Sequence, residues 1–186
     1  ARSVIINDCL WSGSALAYIH LAQQRNWSVL VANPNSAKYE SPQQHLLAVY
    51  DYLTDRDPNS DPDHDQQNKA VSAGTPKTLL MVAHSFGGVC ALSLLSQRPS
   101  SLTCLRALAL TDSVHGAVSD VSTDVKEFLA DRARNWTASK LPLDEPTPSI
   151  GHCDCVSAGH AKHVYTTASA TDSVFAFLDA GLRTSE

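Results

Sequence analysis

The sequence AHSFGG at residues 83–88 limits the possible folds of this chain more than any other feature. It directly follows an apolar run at residues 78–82, and the stretch after it predicts a mostly buried helix that Pro99 ends. A serine between a strand and a helix is the sequence form of a nucleophile elbow. In such an elbow a strained turn exposes the serine hydroxyl above a parallel sheet.

Small residues surround the serine, as a turn of this kind requires. Strand and helix approach each other closely there, so the positions two before and two after the serine need little side-chain volume. Ala83 and Gly87 occupy these two positions. Gly88 adds further clearance. The pattern therefore predicts Ser85 on a tight turn between a strand and a helix.

Short apolar runs alternate with helical periods along the 186 residues. This alternation predicts one α/β domain, residues 1–186, built as a three-layer α/β/α sandwich with a mostly parallel sheet. The predicted strands cover residues 27–32, 77–83, 105–110 and 153–157. The predicted helices begin after Ser14 and cover residues 42–53, 89–98, 124–134 (with Asp124 and Glu127 as a capping pair) and 171–180 (capped by Gly181).

Two segments predict loops. Residues 54–76 are rich in Asp, Asn and Pro and lack large apolar side chains, which is typical of a long exposed acidic loop. Residues 140–151 carry three prolines and predict a connector.

Composition excludes several classes of protein. The formal net charge is −5 and no basic cluster stands out, which argues against a direct nucleic-acid-binding surface. No apolar run approaches the length of a membrane span. The five cysteines are scattered, and Cys90 and Cys104 fall in apolar segments, which favours a reducing compartment over a disulfide framework. Sequons at Asn26 and Asn135 point the other way, but this loose motif often arises by chance and we expect neither to be used.

The residues for nucleophilic catalysis occur in a suitable order. A serine hydroxyl is a poor nucleophile near neutral pH, so it needs a base, and the base needs a group that orients it. Ser85, Asp112 and the histidines after the last strand all follow predicted strands, and such groups gather at the carboxyl ends of a parallel sheet. The expected oxyanion donor is the backbone N–H of Phe86, the residue after the nucleophile.

Three histidines compete for the role of base. His163 is preferred because it lies further into the loop after the last strand, His160 is the neighbouring alternative, and His115, close to Asp112, is the third. Strand alternation turns His84 away from the serine, so we expect it to be structural or to line the pocket. Two purely structural interpretations remain beside the catalytic one: Ser85 as a helix N-cap, and Asp112 as the cap of a turn.

Metal sites are not expected. Five residues near the end of the last strand suggest a cluster, but its cysteines have C-x-C spacing, which gives no zinc knuckle; the cluster comprises His152, Cys153, Cys155, His160 and His163. Residues 61–72 begin like a calcium loop but have Gln66 and Ser72 where such a loop needs Gly and Glu. The sequence therefore predicts neither a metal nor another cofactor.

Longer segments carry more information than the serine turn. They are SVIIND, SGSALAYI, SVLVANPN, AHSFGG, ALTDSVHG, NWTASKLPLDEP, CVSAGHAKHVYTT and SVFAFLDA, and together they run through most of the chain. In this order they resemble an α/β-hydrolase-fold family, the Argonaute-binding co-transcriptional regulators with the "Arb-two" domain. The resemblance implies Ser85 at the family's nucleophile position and His163 as the matching histidine. It also implies protein partners in gene silencing or splicing, in the nucleus or cytoplasm, with hydrolase activity suspected.

The chain departs from that family at two points. The family has an earlier strand ending in a His-Gly loop that supplies part of the oxyanion hole, and this segment is not found here. Val164 stands where an acidic residue is expected. We therefore expect the domain to be N-terminally incomplete, with an unpaired strand edge at residues 77–83 and marginal stability that an upstream extension rescues. Two functions follow: an adaptor for protein partners, or a serine acyl hydrolase for a small ester or thioester.

Overall fold

The computed structural model describes residues 2–34, 38–54, 78–117 and 120–183. Within them lies a four-stranded sheet in which every neighbouring pair is parallel and the strands follow one another in chain order. The strands are β1 (Leu79–His84), β2 (Leu105–Thr111), β3 (Ala133–Thr137) and β4 (Asp154–Ser157). The predicted α/β class with a parallel sheet is confirmed.

Helices flank the sheet. In chain order they are α1 (Arg2–Asn7), α2 (Leu10–Gly13), α3 (Leu16–Gln24), α4 (Pro42–Thr54), α5 (Gly87–Gln97), α6 (Ser101–Cys104), α7 (Thr123–Arg132), α8 (Thr166–Ser169) and α9 (Thr171–Arg183). Short 3-10 turns cover His115–Ala117 and His163–Tyr165. No helix of the described ranges is long and apolar enough to span a membrane.

The two faces of β2 carry side chains of different size, and this sets the three layers. Leu108 and Leu110 are completely buried in a core cluster with residues of α5 and α7. Ala107 and Ala109 belong to the opposite cluster, with residues of α9. Small side chains on that second face let α9 lie close to the strand.

Gly181 serves this close approach and is not a helix cap. A Cβ atom at Gly181 would lie 2.8 Å from the Cβ of Ala107, so a larger residue would push α9 off the sheet. The helix continues past the glycine to Arg183. The prediction that Gly181 ends the last helix was therefore wrong, because the absence of a side chain is needed for packing.

The predicted strand at residues 27–32 was also wrong. The segment has no regular secondary structure, and Val29, Leu30 and Val31 are exposed. Its ends are held by other contacts: the ring of Trp27 stacks on Phe175 at 6.0 Å, and the Asn33 N–H donates to Nε2 of His45. An apolar segment becomes a strand only where a neighbouring strand supplies hydrogen bonds, and no described strand lies beside this one.

Strand β3 was not predicted: residues 133 and 134 fell at the end of the predicted helix, and residues 135–137 were assigned to no element. Helix α7 ends at Arg132, and the next five residues form β3 between β2 and β4. The N-cap of α7 is Ser122, whose Oγ accepts a hydrogen bond from the Val125 N–H, so the predicted Asp124–Glu127 capping pair was wrong. Asn135 lies in β3 with no exposed surface, which makes its sequon unsuitable for a glycan.

The remaining predicted elements match closely. The strands predicted before Ser85, before Asp112 and at residues 153–157 are present as β1, β2 and β4. The helices predicted at residues 89–98 and 171–180 are present as α5 and α9. Strand β1 is one of the two outer strands of the described sheet, and Val82 on it is exposed. The predicted loop at residues 54–76 lies outside the described residues apart from Thr54, where α4 ends.

Candidate active site

Ser85 occupies a strained turn between β1 and α5. Its φ is 54°, in the left-handed region that residues other than glycine rarely adopt. Backbone hydrogen bonds hold it there: the Ser85 N–H donates to the Thr111 carbonyl at 3.0 Å, and the Ser85 carbonyl accepts from the Gly88 N–H at 3.2 Å. The turn and α5 thus begin at the end of β1, beside the end of β2.

Gly88 meets the strictest steric requirement of this turn. A Cβ atom at Gly88 would lie 1.8 Å from Oγ of Ser113, whereas one at Gly87 would lie 3.5 Å from the Cβ of Ala83, an ordinary contact distance. The sequence argument asked for a small residue at position 87 and treated position 88 as extra clearance. The structure reverses the order of the two, because α5 crosses directly over Ser113.

Asp112 is the first residue after β2 and has a φ of 46°. Its carboxylate is shared between two donors: Oδ2 accepts from Nδ1 of His163 at 2.6 Å, and Oδ1 accepts from the Ala138 N–H at 2.9 Å. The second bond fixes the carboxylate against the segment that follows β3. Asp112 is therefore more than the cap of its own turn, since it reaches a histidine 51 residues away along the chain.

His163, and neither of the other two candidates, is the histidine that contacts the acid. It begins the 3-10 turn after β4, and 44% of its side chain is exposed, which leaves the ring accessible to a reactant. His160 instead accepts a hydrogen bond from the Lys162 N–H and stacks on Tyr165 at 4.7 Å. His115 is completely buried elsewhere.

Ser85 and His163 do not hydrogen-bond to each other. No described residue hydrogen-bonds to Oγ of Ser85, so the hydroxyl is not joined to His163 in this state. Catalytic hydrogen bonds are often loose without a reactant and tighten when one binds. The Phe86 N–H is likewise without an acceptor in the described ranges, and the Phe86 ring is exposed beside the serine.

His84, which was expected to be structural or to line the pocket, makes a contact that the sequence argument did not predict. Its ring lies against the ring of His163 in a tilted arrangement, with centroids 4.6 Å apart and planes inclined by 33°. Burial lowers the pKa of His84 from its ordinary value, and the neighbouring charge of His163 lowers it further. The expectation that strand alternation turns His84 away from the serine carried no information on a contact with a histidine from a distant loop.

A second polar cluster lies behind the acid, away from solvent. Nδ1 of His115 is 2.9 Å from Oγ of Ser113, and Nε2 of His115 is 3.6 Å from Sγ of Cys153. The Oδ1 of Asn135 accepts from the Ser113 N–H at 3.1 Å. Burial lowers the pKa of His115, which favours its neutral form. Among the described residues no group of three or more potential ligands is arranged to hold a metal ion.

Serine, acid and histidine thus lie at the carboxyl ends of β1, β2 and β4, in a parallel α/β protein. The family model described as Arb2 domain matches residues 1–143, so the chain belongs to the Arb2 domain family. No solved structure matches the chain.

Curated relatives resemble this chain at 26–29% identity over the aligned residues. A protein of Xenopus tropicalis named cotranscriptional regulator ARB2A homolog is 29% identical over 98% of the chain and 54% of its own length. The homolog of Dictyostelium discoideum is 28% identical over 96% and 54%, and the human cotranscriptional regulator ARB2A is 26% identical over 95% and 54%. The chain thus spans about half the length of the curated relatives it matches.

Proposed function

We propose that this chain is part of a co-transcriptional regulator that acts in the nucleus through protein partners. We also propose that Ser85, His163 and Asp112 form a serine hydrolase-type site in this chain. The regulatory part rests on the names of the relatives. The chemical part rests on one observation above all: the 2.6 Å bond between His163 Nδ1 and Asp112 Oδ2, at the same end of the sheet as the strained Ser85 turn.

The proposed chemistry is acyl transfer from a small ester or thioester. Nε2 of His163 takes the proton of the Ser85 hydroxyl while Oγ attacks the acyl carbon, and the alkoxide or thiolate leaves with that proton. The Asp112 carboxylate holds the ring with its Nδ1–H inward and stabilises the imidazolium that forms. Water then repeats the sequence on the acyl-enzyme and releases the acid.

The negative charge of the tetrahedral intermediate falls on the carbonyl oxygen. The Phe86 N–H, at the start of the turn into α5, is the donor we assign to it. One missing donor of an oxyanion hole costs roughly 10²–10³ in rate. A single donor from these residues is therefore compatible with a slow enzyme, or with a site that recognises acylated groups while another surface binds partners.

The chemical part is tested by labelling the folded protein with a fluorophosphonate probe, which reacts with activated serines. We expect covalent labelling that Ser85→Ala abolishes and that Ser96→Ala, on the exposed face of α5, leaves unchanged. Asp112→Asn should slow labelling by orders of magnitude, because an acid-to-amide change in a triad leaves the base in the wrong tautomer. Equal labelling of the wild type and Ser85→Ala, or none in a wild type that melts cooperatively, would refute the hydrolase site.

The regulatory part is tested independently of the chemistry. A fluorescent fusion of the full-length protein should accumulate in the nucleus, and Ser85→Ala should not change its distribution. Exclusion from the nucleus would contradict the regulatory proposal and leave the labelling result standing.

A further inference from the structure

We infer that His84 is a positioning residue for His163: its ring forms a fixed shelf on which the ring of the base rests. The inference rests on the proposed function insofar as it assigns His163 as the base. Its structural content, that one histidine ring holds the other in place, is testable without any activity.

His163 needs a second support besides Asp112. It lies on a short 3-10 turn with nearly half of its side chain exposed, and the bond from Nδ1 to Asp112 fixes only one edge of the ring. A ring held at one edge still swings about that hydrogen bond. The tilted ring of His84, with its centroid 4.6 Å from that of His163, lies against it and limits this motion.

His84 is itself anchored from three elements. Its Nδ1 lies 2.9 Å from the Thr111 carbonyl at the end of β2, and 3.2 Å from the hydroxyls of both Thr111 and Thr167. The two hydroxyls are 2.7 Å apart, which links β2 to α8. A ring held at β1, β2 and α8 together is a rigid support.

The same anchor joins His84 to the nucleophile. The Thr111 carbonyl accepts from the Ser85 N–H at 3.0 Å as well as from Nδ1 of His84. Strand β2 then continues directly into Asp112. The peptide group between Thr111 and Asp112 therefore fixes the turn that carries Ser85 and the ring of His84. It also begins the segment that carries Asp112.

His84 has the protonation state that its positioning role requires. A carbonyl only accepts hydrogen bonds, so the proton of His84 lies on Nδ1. Burial disfavours the charged form of the ring, in line with its lowered pKa. A neutral shelf does not repel the imidazolium that forms when His163 takes a proton.

The test compares three variants by proton NMR and by labelling. His84→Ala removes the shelf, and His84→Phe keeps a ring but loses the Nδ1–H bond. His160→Ala is the matched control, because the pair of His160 and Tyr165 has nearly the same stacking geometry, 4.7 Å and 32°, outside the cluster. The NMR readout is the far-downfield Nδ1–H signal of His163 bonded to Asp112, assigned by its loss in His163→Gln.

We expect this signal to be sharp in the wild type and in His160→Ala, to persist in His84→Phe and to broaden or vanish in His84→Ala. Fluorophosphonate labelling should slow by about 10–100-fold in His84→Ala, since displacement of a catalytic group by about 1 Å has effects of that size. His84→Phe should lie between the two.

An unchanged signal and labelling rate in a cooperatively folded His84→Ala would overturn the inference. If that variant does not fold, loss of the signal in a folded His84→Phe would overturn the shelf role, because the stacked ring is still present. Absence of labelling in the wild type would count against the hydrolase site alone, since the NMR comparison still decides whether His84 holds His163.

Discussion

The contact between Gly88 and Ser113 gives the sharpest quantitative prediction. In Gly88→Ala the new Cβ would lie 1.8 Å from Oγ and 2.8 Å from Cβ of Ser113, and 3.3 Å from Cδ2 of Leu110. All of these atoms belong to buried residues of or next to β2. Either α5 moves away from the sheet, or Ser113 changes rotamer and gives up its hydrogen bonds to His115.

Either response lowers the free energy of unfolding. Overpacking of a close-packed core costs about 1–3 kcal/mol. Oγ of Ser113 bonds to the backbone N–H and to Nδ1 of His115, and each buried bond contributes about 0.5–1.5 kcal/mol. The better helix propensity of alanine offsets up to about 1 kcal/mol of this destabilisation. We therefore expect Gly88→Ala to destabilise the protein by about 1–2 kcal/mol.

Gly87→Ala is the matched control. Its Cβ would meet only the Cβ of Ala83, at an ordinary 3.5 Å, so stability should be unchanged or slightly higher. Urea unfolding of both variants measures the difference. A double variant with Ser113→Gly should recover part of the loss in Gly88→Ala, because the clashing atoms are gone.

A stability of Gly88→Ala within about 0.5 kcal/mol of the wild type would refute the reasoning, since changes of that size are typical of surface positions. So would an equal loss in Gly87→Ala, because the argument depends on the different surroundings of the two glycines. Absence of coupling between positions 88 and 113 would show that the cost arises elsewhere.

Three further predictions concern the rest of the fold. Asn135→Ala should lower the free energy of unfolding by about 1–3 kcal/mol, because the Ser113 N–H loses a buried acceptor; a change under about 0.5 kcal/mol in urea titrations would contradict this. Ser122→Ala should cost about 0.5–2 kcal/mol through loss of the helix cap, and thermal melts equal to the wild type would show that the cap is not needed. The Arg98 guanidinium beside Asp51 holds the pKa of that carboxyl below its ordinary value, so the pair stabilises the fold at neutral pH and the effect is lost as the pH falls below about 4. The stability difference between the wild type and Asp51→Asn, under about 1 kcal/mol at pH 7 for such a half-exposed pair, should therefore disappear in acid, and a difference that grew there would contradict the assignment.

Local patterns in the sequence were sufficient for the parts of the fold that depend on neighbouring residues. The apolar run before Ser85 and the helical period after it predicted β1 and α5, and the run before Asp112 predicted β2. The order of serine, acid and histidine also follows from position at strand ends. These features depend on backbone propensity and on the alternation of apolar side chains, which a linear sequence carries.

Other features depended on partners far away in the chain. Residues 27–32 have the composition of a strand, but among the described residues they have no strand to pair with. Residues 133–137 lack a continuous apolar run, yet they form a strand because β2 and β4 supply hydrogen bonds on both sides. The sequence determines whether a segment can be a strand, and only the tertiary structure decides whether a neighbour is present.

Some features of the candidate site were likewise predictable from the sequence, and others depended on the tertiary structure. The sequence by itself predicted that a serine, an acid and one of several histidines gather at one edge of a parallel sheet. Only the tertiary structure selected His163 over His160, placed the ring of His84 beneath it and moved the strict requirement for glycine to Gly88. Each of these depends on distances of a few ångströms between groups from different elements, and such distances are set by how helices and loops pack on the sheet.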